Sequence, residues 1–395
     1  MATRLVIFLL LILPLHASAA LFCVGTTTEF RNALQTALNN GEDDQIRLRP
    51  GTYFSNEGLG FIADLEVDRS LSISGGWSDF NEIGCFTQFL SNPFDTVIDG
   101  EDQSSGISVS ASDSGSTASL VISNLSIVQA AAGSTIAGVR IAGQGGFAGE
   151  VLIDRVRFAG NNGSDGAAIW ADGGNKVTIR NSVFQFNRTS GGGGTIRILL
   201  RAGDQGLYFI NNTVIANGSD LTSPSGSATS GLNIDLMQSG DDIPQALVAN
   251  NLFWNNDLAD MFFSFSGGIK HVYNNNYQQL VGLVQNSADN LSLPPRLSPL
   301  LLDYTPEADS PLIDRGLPAP FMTPLIDRER LAPALGGGVF LLDWSYGSQD
   351  FLPGAPGRVN GERVDIGAVE SPFVDRLFKD QFRDSGSATA SEGVE

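Results

Sequence analysis

The stretch that decides the fold is Val177-Thr178-Ile179-Arg180-Asn181-Ser182-Val183-Phe184-Gln185-Phe186-Asn187. It begins with alternating apolar and polar residues, and an Asn, an apolar residue and a second Asn then follow at intervals of three. The template recurs as Leu120, Ile122, Asn124 and Ile127; Val151, Ile153, Arg155, Phe158 and Asn161; Leu207, Phe209, Asn211, Val214 and Asn217; and Ala246, Val248, Asn250, Phe253 and Asn256. A weaker last copy keeps Val272, Asn274 and Tyr277 but has Lys270 at an apolar position. The chain therefore repeats one strand-and-turn unit.

The spacing of the copies predicts a solenoid. Steps between the first Asn positions are 31, 26, 30, 39 and 24 residues, so the motif is fixed while the connections vary. Stacked rungs tolerate such insertions as side loops, and alternation with a period of two indicates strands. An Asn at a turn tolerates left-handed backbone angles, and its amide can bond the same residue in adjacent rungs. We therefore expect a structural Asn ladder rather than a set of catalytic amides.

The N-terminus predicts export. Arg4 is followed by an apolar run from Leu5 to Leu15 and by small residues up to Ala20, which is the pattern of a secretory signal peptide. The run is too short to span a bilayer, so we expect a secreted or cell-surface protein without a transmembrane segment. A lipid anchor at Cys23 is an alternative that the bulky Phe22 disfavours.

Charge and cysteine content narrow the partners and the compartment. The net charge of −20 argues against nucleic acid and anionic membranes, which require a basic surface. The two cysteines, Cys23 and Cys85, predict one disulfide in an oxidising compartment, and two buried free thiols are the alternative. We expect a monomer.

The upper end of the solenoid needs a cap, because its first strand would otherwise present unpaired backbone groups. Thr26 and Glu29 have the spacing of a capping box, and an amphipathic stretch through Phe30 and Leu34 ends near Gly41. The sequence thus predicts a short N-terminal capping helix before the first rung.

Several motifs resemble those of secreted bacterial proteins. The strings SPLIDRG (310–316) and RVDIGAVE (363–370) resemble the last segment, called a choice-of-anchor Q domain, of a subgroup of the pectate-lyase-like superfamily. RPGTY (49–53) and SGGW (74–77) resemble openings common in such proteins. The resemblance implies an all-β fold, a right-handed parallel β-helix whose irregular C-terminal cap closes the lower end. Asp314 and Asp365 are then expected to serve in turns and capping rather than to bind a ligand.

These patterns predict four parts of the chain. They are a signal peptide at 1–20, a β-helix at 21–290, a choice-of-anchor Q-like segment at 291–370 and a flexible tail at 371–395. The composition of the residues after 384 is typical of disorder.

A second set of strands, bounded by glycines, suggests a ligand-binding face. If Val139, Ile169, Ile196 and Ile234 point inward, their neighbours point outward. The predicted outward row is Arg140, Trp170, Arg197 and Asn233 or Asp235, with Arg201 nearby. An aromatic residue among cations and amides suits sugar rings and uronate carboxylates, and an ordinary solvated strand face is the alternative.

Catalytic signals are weak. Asp241 and Asp242 could be compared with the paired carboxylates of glycoside hydrolases, but they fall where other rungs have a turn, and a turn is the favoured interpretation. Asp235 and Arg201 are the other weak candidates. Lys270 and His271 are adjacent and should face opposite sides of a strand. No residues are predicted to bind a resident metal, and Ca²⁺ is expected only if the chain is a lyase.

The sequence therefore predicts a secreted or surface-associated β-helix protein that binds a polysaccharide or cell-surface glycan. The alternatives are a polysaccharide lyase or glycoside hydrolase acting on uronate-containing glycans, and a purely structural or adhesive solenoid. Incomplete catalytic signatures favour binding over catalysis.

Overall fold

Parallel strands dominate the chain. The computed structural model describes residues 19–55, 60–65, 69–78, 84–88, 92–111, 118–131, 138–143, 147–201, 206–221, 228–264, 267–299, 302–319, 343–352 and 357–373. Within these ranges the chain forms one α-helix and 28 strands. Every strand pairing in them is parallel except one two-stranded hairpin. The fold is all-β and consistent with a β-solenoid, as the repeats predict.

Sheet 1 has fifteen strands. Ten follow one another along its main path: β1 (Ala20–Val24), β2 (Asp44–Leu48), β5 (Ser70–Ser74), β10 (Ser119–Val128), β12 (Glu150–Ala159), β15 (Lys176–Arg180), β19 (Gly206–Ile210), β23 (Gln245–Ala249), β26 (Ile269–Tyr273) and β28 (Asn286–Ala288). Five lie off this path in two groups. β8 (Thr96–Asp99) pairs with β10 and with β3 (Gly51–Phe54), and β16 (Val183–Gln185) pairs with β12 and is followed by β20 (Thr213–Ile215) and β24 (Leu252–Trp254).

Sheet 2 has eight strands and carries the glycine-bounded segments. They are β4 (Phe61–Leu65), β9 (Ile107–Ala111), β11 (Val139–Gly143), β14 (Ile169–Asp172), β18 (Ile196–Leu200), β22 (Thr229–Leu236), β25 (Ala259–Phe263) and β27 (Leu280–Gly282). A three-stranded sheet joins β13 (Asn162–Gly163), β17 (Arg188–Thr189) and β21 (Gly218–Ser219), and the hairpin joins β6 (Trp77–Ser78) to β7 (Thr87–Gln88).

The core lies between the sheets and contains the apolar residues of the template. In the copy from Val177 to Asn187, the side chains of Ile179 and Phe184 are fully buried. Phe158 and Phe184 occupy the same template position on adjacent rungs and stack with their ring centroids 4.9 Å apart. The ring of Phe184 also lies 6.1 Å from that of Phe209, which occupies the template position of Ile179 in the next rung. Each rung therefore buries its apolar side chains against the same positions of its neighbours, which no single rung could do alone.

The first Asn of the template adopts the predicted left-handed conformation. Its φ angles lie between 49° and 60° in Asn124, Asn181, Asn211, Asn250 and Asn274, and Arg155 takes the same conformation with φ 55°. The predicted side-chain ladder of this residue occurs at one pair, where Asn250 Nδ2 donates to Asn211 Oδ1 at 3.4 Å. Most of these amides bond elsewhere, so the backbone part of the prediction is confirmed and the side-chain part largely fails.

Two other asparagine columns form the buried ladders. The second Asn of the template forms one column, Asn161, Asn187, Asn217 and Asn256, in which each Nδ2 donates to the next Oδ1 at 2.8–3.0 Å. The residue after the first Asn forms the other, Asn212, Asn251 and Asn275, and Asn290, which follows Asp289, continues it; the Nδ2–Oδ1 distances are 2.9–3.1 Å. Both columns satisfy backbone groups at buried corners, where an unpaired group would cost about 1–3 kcal/mol.

The first-Asn column faces outward and holds the C-terminal segment, defined as the described residues 302–319, 343–352 and 357–373. Nδ2 of Asn181 donates to the carbonyl of Tyr346 at 2.8 Å, and Nδ2 of Asn250 donates to that of Leu317 at 2.9 Å. Nδ2 of Asn211 donates to the carbonyl of Asp365 at 3.0 Å. The described part of the segment therefore lies along the outer side of sheet 1, whereas the resemblance placed it at the lower end of the helix.

The N-terminal helix α1 (Thr27–Ala37) packs against the upper strands as predicted. The side chain of Thr26 caps it by accepting from the N–H of Glu29 at 3.2 Å. Phe30 is fully buried, with its ring centroid 4.3 Å from that of Phe61. Strand β1, which precedes the helix and pairs with β2, was not predicted.

The predicted disulfide joins Cys23 in β1 to Cys85 beside the hairpin, with their Cα atoms 5.3 Å apart. It ties the first strand of sheet 1 to a segment 62 residues later. The predicted signal peptide and the tail after 373 lie outside the described residues, apart from Ala19 and Ala20.

Candidate functional site

One row of outward side chains crosses sheet 2 as the alternation predicts. Arg140 pairs with Trp170, Trp170 with Arg197, and Arg197 with Asn233 on consecutive strands. Their neighbours Val139, Ile141, Ile169, Ile196 and Ile198 are fully buried on the inner side. Adjacent strands lie about 4.8 Å apart, so the three steps from Arg140 to Asn233 span roughly 14 Å.

Trp170 is the aromatic centre of this row. Its side chain is half-buried, and the guanidinium of Arg140 lies over its ring, 5.6 Å from the centroid. A cation above an aromatic face is attracted to the ring electrons and restricts the motion of both side chains. The pair therefore offers a ring edge and hydrogen-bond donors in one place.

Arg197 forms an ion pair with Asp235, which lies on the next strand two residues after Asn233. Its Nη2 donates to Oδ2 of Asp235 at 3.1 Å, and the two side chains are 24% and 38% exposed. The pair remains in contact with solvent, so its Coulomb attraction is screened and serves mainly to fix the orientation of the guanidinium. The structure thus brings together two of the residues predicted for the site.

Arg201 forms a bidentate ion pair with Asp172. Nε of Arg201 donates to Oδ1 at 2.8 Å and Nη2 donates to Oδ2 at 2.7 Å. Asp172 is the last residue of β14, two positions after Trp170 and on the same side of the strand. This geometry orients both groups firmly, so Arg201 borders the row.

Asp165 is a further group near the row that the sequence did not identify. Burial raises its pKa, and the positive charge of Arg197 partly opposes that rise. The backbone of Gly193 packs on this carboxylate so closely that a Cβ at 193 would lie 1.2 Å from Oδ1. The run of four glycines from 191 to 194 was the available signal, since it marks a close approach of the backbone.

Asn233 is placed in the predicted row but is fully buried. Its Nδ2 lies 3.5 Å from the carbonyl of Gly192, and its Oδ1 has no hydrogen-bond donor among the residues that the structure describes. Phe262, the next residue in the row, is also buried. The accessible part of the row is therefore Arg140, Trp170 and Arg197, and a ligand contact for Asn233 stays a prediction.

Asp241 and Asp242 lie in an exposed turn, outside the outward row of sheet 2. The backbone N–H of Asp242 donates to the carbonyl of Ser239 at 3.1 Å, and Gly240 between them has φ 60°. Both carboxylates are exposed to solvent. Their geometry matches the turn interpretation.

Lys270 and His271 face different sides of β26, as predicted. Lys270 is fully buried at the apolar template position, where its Nζ donates to the carbonyls of Ser264 and Gly267 at 3.1 and 2.6 Å. His271 lies between the amides of Gln245 and Asn286, each 3.2 Å away, and burial lowers its pKa to about 4. The two side chains do not form a shared site.

We call the outward set Arg140, Trp170, Asp172, Arg197, Arg201 and Asp235 the Trp170 face. Two of its three arginines are paired with its two aspartates. Its formal charge is therefore +1 although the whole chain is strongly acidic. An aromatic ring amid oriented donors and acceptors can stack on the apolar side of a sugar ring and bind its hydroxyls.

The fold and this face define a parallel β-stranded protein, consistent with a solenoid, that carries one aromatic and arginine-rich strand face. No family model, curated protein or solved structure matches the chain. The described residues contain no cluster of three or more His, Cys, Asp or Glu side chains that could hold a metal ion. None of the described helices is long and apolar enough to cross a membrane.

Proposed function

We propose that this chain is an exported right-handed parallel β-helix protein that binds polysaccharide through the Trp170 face. The observation that carries the proposal is the alignment of Arg140, Trp170 and Arg197 on three consecutive strands. Equivalent outward positions on stacked strands repeat along one line, so a chain of sugar units can meet successive side chains.

The ion pairs of the face favour a hydroxyl-rich glycan. Arg197 and Arg201 already face carboxylates, which a polyanionic uronan would have to displace. Arg140 contacts no carboxylate among the described residues and is the group best placed to accept a single acidic sugar. We therefore expect neutral or sparsely charged polysaccharides to bind better than uronans.

Export and the finer family assignment belong to the same proposal. The signal-like N-terminus and the Cys23–Cys85 disulfide fit an oxidising compartment outside the cytoplasm. The right hand of the helix is supported by the strong preference of parallel crossovers for that hand. The C-terminal motifs support a choice-of-anchor Q-like segment within the pectate-lyase-like superfamily.

A glycoside hydrolase is the second candidate, because of Asp165. This carboxylate and Asp235 both interact with Arg197, and burial raises the pKa of Asp165. Glycoside hydrolysis uses two carboxyl groups, one of which has a raised pKa and protonates the leaving group. Asp165 would then act as the acid.

The test is to titrate the purified protein with a panel of neutral glycans and uronans, with and without calcium. Reducing ends and the ultraviolet absorbance of unsaturated uronates are followed in the same samples. We expect binding without turnover, weakened roughly tenfold or more by Trp170→Ala and by Arg197→Ala.

Two matched controls separate the face from general effects. Phe186→Ala removes an exposed aromatic ring outside the face, and Arg188→Ala removes an exposed, ion-paired arginine. Both should bind like the wild type. Binding that survives both changes in the face would refute the site, and turnover lost in Asp165→Asn would favour the hydrolase.

A further inference from the structure

A groove on the outer side of sheet 1 has a lining suited to a ligand. Its volume is about 380 Å³, within the range of about 300–1,000 Å³ typical of small-molecule sites. Strands β10, β12, β15 and β19 form its floor, and the C-terminal segment forms one wall through Asp343, Trp344 and Ser345. It lies on a different sheet from the Trp170 face.

The floor is made by outward positions of the repeat. Val121, Leu152 and Thr178 are aligned on consecutive strands, and Tyr208 follows them. The first three are half-buried, whereas Tyr208 is covered by the aromatic cluster that includes Trp344 and Tyr346. Among the described residues, the groove therefore lies where the C-terminal segment no longer covers the outer side of the sheet, and a small apolar surface is accessible there.

Polar contacts fix the wall to the floor. Lys176 Nζ lies 2.5 Å from Oδ2 of Asp343 and 5.4 Å from the centroid of the Tyr208 ring. Nη1 of Arg180 donates to the carbonyl of Ser345 at 3.0 Å, and Nη2 donates to Asp154 at 3.1 Å. Because both cations are already held by protein acceptors, the cavity is formed before a ligand arrives.

The lining combines an apolar floor with hydrogen-bonding groups at its edges. Glu150 and Asp343 supply exposed carboxylates, Lys176 and Arg180 supply donors, and Thr178 supplies a hydroxyl. Each cation is offset by a carboxylate, so the groove does not offer the net charge that an anion requires. An apolar surface rimmed by balanced donors and acceptors matches a ring with one apolar side and hydroxyls around its edge.

We propose that this groove is a binding site for a short, neutral oligosaccharide. The site is independent of the Trp170 face, and neither requires the other. The occupant contacts Leu152 and Val121 with its apolar side and bonds Glu150, Lys176 and Asp343 with its hydroxyls.

Isothermal titration calorimetry of the exported chain with neutral di-, tri- and tetrasaccharides tests the site. Leu152→Arg fills the groove from a half-buried position on the outer side and should weaken binding roughly tenfold or more. Glu150→Gln, which changes one exposed carboxylate and no core contact, should weaken it several-fold. Leu283→Arg makes the same change at an exposed leucine outside the groove and should bind like the wild type.

Trp170→Ala separates the two proposals, since it should leave this binding unchanged even if it abolishes polysaccharide binding at the other face. Failure of every neutral oligosaccharide to bind would overturn the groove proposal. Binding that survives both Leu152→Arg and Glu150→Gln, or that is lost in Trp170→Ala alone, would overturn it as well.

Discussion

Replacing Asn187 by Ala tests the buried ladder that joins the rungs. The side chain makes four hydrogen bonds across three rungs. Its Nδ2 donates to the carbonyl of Phe158 at 3.1 Å and to Oδ1 of Asn217 at 2.9 Å. Its Oδ1 accepts from the backbone N–H of Asn161 at 3.1 Å and from Nδ2 of Asn161 at 2.8 Å.

The expected loss of stability depends on which partners of Asn187 keep another hydrogen bond in Asn187→Ala. Nδ2 of Asn161 still donates to the carbonyl of Ile127, and Oδ1 of Asn217 still accepts from the backbone N–H of residue 187. The N–H of Asn161 loses its acceptor at a fully buried position. With about 1 kcal/mol for each of the three other hydrogen bonds and about 1–3 kcal/mol for the unsatisfied buried donor, the loss of stability should be about 4–6 kcal/mol.

Urea unfolding followed by far-ultraviolet circular dichroism measures this loss, and hydrogen exchange at Asn161 shows whether it is local. Asn162→Ala is the matched control, because Asn162 is the exposed neighbour of a ladder residue. It should change stability by less than about 0.5 kcal/mol. A loss below about 1 kcal/mol for Asn187→Ala, or one equal to that of the control, would refute the ladder's role.

The remaining predictions concern the disulfide, a buried acid pair and one glycine. Replacing Cys23 and Cys85 by Ser should cost about 4 kcal/mol in urea unfolding, given the 62-residue separation; an unchanged midpoint would contradict this. Burial raises the pKa of Asp365 to about 7 and that of Glu370 to about 8. Because the unfolded carboxyls release their protons near pH 4, stability should fall as the pH rises from about 4 to 8. Hydrogen exchange of residues 357–373 at pH 5 and 9 checks the sign: protection factors, which correct for the intrinsic rate at each pH, should be smaller at pH 9, and equal or larger values there would contradict the prediction. Gly193→Ala should displace Asp165 and lower stability by about 1–3 kcal/mol, and a loss below 0.5 kcal/mol would contradict the close packing.

The strand arrangement was predictable because alternation alone determines which side chains point inward. Val139, Ile169 and Ile196 are all buried, and this places Arg140, Trp170 and Arg197 on the opposite side. The left-handed conformation of the first Asn was predictable for a similar local reason, since few other residues tolerate that backbone.

The partners of these residues were not predictable, because they come from distant parts of the chain. Asn181 donates a hydrogen bond to the carbonyl of Tyr346, which lies 165 residues later, and no local sequence pattern predicts that contact. The groove wall at Trp344 depends on the same long-range packing. Asp165 was missed because its role arises from a neighbouring glycine loop and from Arg197, rather than from a motif of its own.

Fluorine NMR of the protein labelled with fluorotryptophan tests the proposed polysaccharide face most directly. The chain has four tryptophans, Trp77, Trp170, Trp254 and Trp344, and Trp170→Phe assigns the resonance of the face. On addition of a polysaccharide that binds, the Trp170 resonance should shift or broaden in proportion to occupancy while that of Trp254 stays in place. Saturating polysaccharide that leaves the Trp170 resonance unchanged would contradict binding through the Trp170 face.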